Sequence, residues 1–271
     1  MNNTFNINRF GLLLKRQWLD FGKIYLITLG VVIGIIVGFY AWYAPSPSKF
    51  NNFDSDGNLD LRFRYGLFLI LGFIFISVVA SSYFALFGQK ARAIMELMNP
   101  ASIFEKFLSG VLYTAVLSVL SYLILFYLVD LAFVKYLNGY LSEFTMSGNK
   151  GLVVKPAESI AAQFIDDANY RNNLWYFTAI PFFITSIFLL GSIYFNRFHY
   201  IKTAISVMIF FGAASYIIYN VINRLTRNMV SLHHGGQNKE DIALILLFSI
   251  TAGLALILWA ITYIRLKEKE V

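Results

Sequence analysis

Cysteine does not occur in this 271-residue chain, which excludes disulfides, thiolate metal sites and cysteine nucleophiles and leaves cysteine usage silent on the redox compartment. Histidine occurs only three times, leaving little metal chemistry to build. Charge is scarce too: 14% of the residues are Asp, Glu, Lys or Arg, against about 25% in soluble domains. That rules out an ordinary soluble domain. The chain also lacks a Gly-x-x-x-x-Gly-Lys-Ser/Thr phosphate loop, a His-Glu-x-x-His pair, a Gly-x-Ser-x-Gly elbow and paired carboxylates within its apolar runs. It therefore reads neither as a self-contained enzyme nor as a pump with its own motor.

What it has instead is apolar length. Apolar residues make up 58% and aromatics 18%, and the mean hydropathy is +0.63. Six apolar segments, 24–43, 65–87, 107–134, 174–195, 204–222 and 242–264, each approach or exceed the roughly 20 helical residues that cross a bilayer core. The expected fold is all-α: a single polytopic membrane domain over 1–271, with six transmembrane helices and an amphipathic helix ahead of the first. The formal charge of +7 is explained by the positive-inside bias of cytoplasmic loops, so nucleic acid is not an expected partner. Lys and Arg favour the side of the termini, and most Asp and Glu lie in the longer loops opposite, which places both termini in the cytoplasm. The first apolar run is too long for a signal h-region and no Ala-x-Ala site closes it, so it is read as a retained span. Tyr40, Trp42, Tyr43, Trp175, Tyr176, Trp259 and Tyr263 stand where interfacial anchors belong.

Along the chain, residues 5–21 present Phe10, Leu13, Leu14, Trp18 and Phe21 on one helical face, with Arg9, Lys15, Arg16 and Asp20 off it. Leu12 and Leu19 call for cover on a second side. The helix reads as a membrane-surface anchor or as a docking surface for a cytoplasmic subunit. Gly30, Gly34 and Gly38 form two overlapping small-xxx-small units, expected to pack internally against another span. The stretch 54–60 superficially resembles a calcium loop, but Tyr65 stands where the closing glutamate belongs. His233 and His234 point about 100° apart on a helix and have no third ligand in view, so no metal site is assigned.

The connection 89–108 is the most specific part of the chain. Pro100 interrupts any helix running from residue 89, and Ser102 with Glu105 three positions later makes a capping box that starts the next helix. A helix from Ser102 to about Lys135 would be roughly 50 Å long against about 30 Å of hydrocarbon, so its first turns should protrude. Within it, Thr114, Ser118 and Ser121 form a polar stripe that can line a path or hydrogen-bond between helices. Asp130 sits near the opposite end, by Lys135, and is expected to reach water, which argues against proton coupling through it. The outer loop 135–173 should hold a short helix started by Pro156 and running through Ala157, Ile160, Ala161 and Phe164. An ion-coupled transporter should carry charges or broken helices near the midplane, and the only breaker within the spans is Pro181, with no charge beside it.

The segment Asn99-Pro100-Ala101-Ser102-Ile103-Phe104-Glu105-Lys106-Phe107-Leu108, together with six spans and a preceding amphipathic helix, resembles the permease subunits of ABC exporters of the ABC-2 type, in the short form found in Bacteroidetes-like bacteria. Asn99 stands where that pattern usually has leucine. The resemblance implies a subunit of the bacterial inner membrane that is not itself an enzyme and binds no cofactor directly. ATP and Mg would be held by a separate ABC-type ATP-binding subunit, and a second permease copy or homologue would complete the path as a dimer among membrane lipids. It also implies that 89–104 and the N-terminal helix form the element coupled to that ATPase, with Arg92, Ala93, Glu96, Pro100, Ser102, Glu105, Lys106, Arg16 and Trp18 as its residues. The family's re-entrant helices before the last span would fall in 223–241, which is short for them. The alternative is a non-transporting membrane scaffold or sensory subunit, whose partners would bind equally with or without nucleotide.

Overall fold

A chain this apolar must satisfy every backbone N–H and C=O internally, which in lipid leaves helices or a closed barrel. The computed structural model describes residues 5–45, 59–85, 101–141, 156–166, 168–195, 197–226 and 237–270, and every element in them longer than an isolated bridge or turn is a helix. In chain order these are α1 (Ile7–Tyr43), α2 (Phe63–Tyr83), α3 (Ile103–Gly139), α4 (Ile160–Asp166), α5 (Ala168–Phe177), α6 (Ala179–Tyr194), α7 (His199–Thr226) and α8 (Gln237–Glu270). Six stretches are long and apolar enough to span a membrane: α1, α2, α3, Arg171–Tyr194, His199–Val221 and Ile242–Lys269. The chain is an integral membrane protein of all-α class.

Two boundaries differ from the sequence reading. The amphipathic segment is not a separate helix, because α1 continues without a break from Ile7 through the first span to Tyr43. No proline stands between them and Gly22 remains helical, so nothing turns the chain into the plane of the bilayer. At 1.5 Å per residue α1 is about 55 Å long, so part of it lies outside the hydrocarbon. The second-side cover expected for Leu12 and Leu19 is also missing, as these side chains are 70% and 73% exposed. In the loop before span four, the short helix begins at Ile160 rather than at Pro156.

Two compact units divide the chain: Met1–Gln17, Ile76–Val116 and Tyr176–Val271 form one, and Trp18–Phe75 and Leu117–Trp175 the other. In the second unit α1 buries Tyr25, Val32, Ile36 and Tyr40 along one face. Their rings join an aromatic column: Tyr25 to Phe75 at 6.1 Å, Phe75 to Tyr122 at 5.9 Å, Phe68 to Phe126 at 4.8 Å and Tyr40 to Phe133 at 4.4 Å between centroids. Gly72 admits Tyr122, since a Cβ there would stand 2.7 Å from its ring.

Gly30, Gly34 and Gly38 lie on the opposite face of α1, are exposed, and have no atom within 4 Å of where a Cβ would stand. The internal contact expected of this stripe is therefore not made among the described residues. Small residues mark a smooth helix face, but larger side chains at Tyr25, Val32, Ile36 and Tyr40 offer more area to bury and take the inner side.

In the first unit α8 runs along α6 and its C-terminal part meets the start of α3. The tightest approaches are at glycines of other helices. A Cβ on Gly110 would stand 2.8 Å from Phe84, and one on Gly191 would collide with Thr203. Along α7, Thr203 is the one buried side chain among those described, and Met208, Ile209 and Phe210 are all exposed. A helix apolar on all sides with so little protein cover suits lipid and not water.

Candidate functional site

The capping box expected at the start of α3 is present, with Ser102 Oγ accepting from the Glu105 backbone N–H at 3.2 Å and Glu105 Oε2 from the Ser102 N–H at 2.9 Å. Local sequence accounts for this much, because the two groups satisfy donors that every helix start leaves open.

The same carboxylate also receives the start of α1. Asn6 caps that helix, its Oδ1 accepting from the Asn8 N–H at 3.0 Å, and its own N–H donates to Glu105 Oε1 at 2.9 Å. One turn on, Arg9 closes a fork, with Nε donating to Oε2 at 2.8 Å and a terminal guanidinium nitrogen to Oε1 at 2.7 Å. Glu105 is 0% exposed and the Arg9 side chain 30%. One carboxylate thus takes two backbone donors and a bidentate guanidinium, which fills its acceptor positions and offsets its burial.

Aromatic rings extend the joint. Phe5 packs on Phe10 at 5.7 Å and edge-on to Phe104 at 6.1 Å, while Tyr263 of α8 meets Phe107 at 5.7 Å. Farther along, the Tyr113 hydroxyl donates to the Leu14 carbonyl at 2.8 Å, and the Tyr83 hydroxyl meets Gln17 and, at 3.2 Å, Ser109. Lys269, at the end of α8, donates to the Ile193 carbonyl at 2.7 Å. The first turns of α1 and α3 consequently form one polar and aromatic assembly, braced by α2 and α8.

Among the residues assigned to ATPase coupling, the structure brings Ser102 and Glu105 into this joint and buries Lys106 beside them. Arg16 and Trp18 are both exposed. Arg92, Ala93, Glu96 and Pro100 lie outside the described residues, as do the stretch 54–58 and the pair His233 and His234. Of 223–241, residues 227–236 lie outside them too, and the rest continues α7 or begins α8. Sequence reasoning missed Asn6 and Arg9. An Asn at a helix start is a recognisable cap, but nothing local shows that Arg9 turns toward Glu105 rather than toward water.

Thr114 lies in a π-helical stretch of α3, Leu112–Leu117, which alters the register that the i, i+4, i+7 stripe assumed. Its hydroxyl donates to the Gly110 carbonyl at 2.8 Å; Ser118 is buried; Ser121 donates to the Ser118 carbonyl at 3.0 Å and meets the Tyr25 hydroxyl.

Asp130 requires a correction. It does not reach water, being 1% exposed, and its partner is not Lys135. Arg64, also 1% exposed, donates to Asp130 Oδ1 at 3.0 Å, Tyr40 donates to the same oxygen at 2.9 Å, and the Ile160 N–H donates to Oδ2 at 2.8 Å. On sequence alone Arg64 belongs to a loop, yet it is the second residue of α2 and its guanidinium turns inward. A carboxylate near the end of a span either finds water or a cation, and here the cation stands on the neighbouring helix.

Neither a protein-family model, nor a curated protein, nor a solved structure matches this chain.

Proposed function

We propose that the chain is the membrane-spanning permease subunit of an ATP-driven exporter of ABC type, working as a dimer and driven by a separate ATP-binding subunit. In this reading it resides in the bacterial inner membrane with both termini cytoplasmic, and it hydrolyses no ATP itself. The observation that carries the reading is the Glu105 joint. A subunit moved by a soluble motor needs its receiving segments tied to its spans, and one buried carboxylate joins the start of α1 to the start of α3, to which the assigned segment 89–104 leads. A push on either would be felt by both, because the first turns of α1 and α3 are held together at that joint. Glu105 is then a positioning residue and not a contact with the motor, since no part of it is exposed.

Purification of the full-length protein from its native membrane in mild detergent, followed by identification of what accompanies it and an ATPase assay, tests this. A stoichiometric ATPase with a phosphate-binding loop is the expected result. Its reproducible absence, with other membrane proteins bound equally with and without nucleotide, would overturn the reading in favour of a scaffold or sensory subunit. In the assembled complex, Glu105→Ala should abolish substrate-stimulated ATPase activity while basal hydrolysis and membrane insertion persist.

A further inference from the structure

Residues 156–166 are fastened in an unusual way. Three apolar holds fasten the segment: Ile160 is buried, Ala157 borders the small cluster of Leu59, Leu61 and Leu137, and the Phe164 ring meets Tyr65 edge-on at 6.0 Å; the rest of the attachment is polar. Asn138 holds Ala157 by both backbone groups, accepting from its N–H at 2.8 Å and donating to its carbonyl at 3.0 Å. Arg64 donates to the Glu158 carbonyl at 3.1 Å, Asp130 accepts from the Ile160 N–H at 2.8 Å, and the Tyr65 hydroxyl meets the Gln163 side chain. Between this segment and the start of α2 lies a recess of about 400 Å³, lined by Arg62, Arg64, Tyr65, Glu158 and Gln163 among others.

An apolar attachment resists opening because all its buried area returns to water. A hydrogen-bonded one exchanges its partners for water at a net loss of only about 0.5–1.5 kcal/mol per bond. Segments with few apolar contacts and many exchangeable bonds open locally while the rest of a fold stays closed. We propose that residues 156–166 are a hinged cap that opens and closes as a unit over this recess, with the Arg64–Asp130 pair as its catch. The catch suits repeated use. When the cap lifts, Asp130 loses the Ile160 N–H and Arg64 the Glu158 carbonyl, but the two charges keep each other and Tyr40, so neither is left alone. This inference does not rest on the export reading and stands if that reading fails.

The absence of cysteine permits a direct test with the full-length protein purified in detergent. Ile160→Cys places a single thiol under the cap, and Ile36→Cys, in a fully buried part of the aromatic column, reports general unfolding. A water-soluble maleimide should label the Ile160 reporter slowly but measurably and the Ile36 reporter not at all. Adding Asn138→Ala, which removes two fastenings, should speed labelling at position 160 about tenfold and leave position 36 unlabelled. Gln163→Ala, a milder variant on a half-exposed side chain, should speed it several-fold. Equal acceleration at both positions, an Ile160 reporter as inert as the Ile36 one, or no acceleration by either variant would each overturn the cap.

Discussion

Glu105 and Asp130 are both carboxylates of α3, both buried, and both paired with an arginine from another helix, but they differ in what surrounds the pair. Glu105 takes two backbone N–H groups besides Arg9, and Arg9 keeps part of its side chain in the open. Asp130 takes a tyrosine hydroxyl and a single backbone N–H, and Arg64 is sealed in with it. At the first pair, water can enter and take over part of what a lost partner supplied. At the second it cannot while residues 156–166 stay closed over the pair. A joint at a helix start can thus tolerate wear, whereas a pair inside a bundle is all or nothing.

Mutations can break this comparison in order of expected effect. Arg64→Ala leaves Asp130 charged, buried and short of its cation, and should destabilise the protein by about 3–5 kcal/mol, read as a large fall in Tm in detergent. Removing both charges together, with Arg64→Met and Asp130→Leu, should restore most of that loss, because two apolar groups leave nothing to compensate. Glu105→Ala strands two backbone donors and a cap and should lose on the order of 2 kcal/mol. Arg9→Ala should lower Tm less than either Arg64→Ala or Glu105→Ala. If Arg9→Ala and Arg64→Ala proved equally damaging, the distinction between an open joint and a sealed pair would fail.

The glycines sharpen the same point at smaller scale. Gly110→Ala drives a methyl against Phe84 and Tyr83 and should lose about 1–3 kcal/mol through overpacking. Gly34→Ala meets nothing among the described residues and should raise the stability of the isolated subunit by about 0.5–1 kcal/mol through helix propensity. Opposite signs in two thermal melts are the expected outcome.

Much of the fold was legible because partition into lipid is a local, additive property of 20-residue windows. The six spans, the long α3 and its capping box came from such local signals. The continuity of α1 was less visible, since Leu12, Leu19 and the flanking charges suggested a surface helix and only the absence of a breaker pointed the other way. The Gly30, Gly34 and Gly38 stripe misled for a different reason: small residues show that a face is smooth, not which neighbour uses it. Asp130 misled because hydropathy patterning treats each charge by its own depth and is blind to a counter-charge on another span.

The sequence by itself determined that this is a six-span helical membrane protein and where its third span begins, since hydrophobic length and helix capping act over a few neighbouring residues. Only the tertiary structure decided which cation meets which carboxylate. Arg9 and Glu105 stand 96 positions apart and Arg64 and Asp130 stand 66 apart. A charge buried away from water must find its partner wherever packing brings one, and no local pattern records that choice.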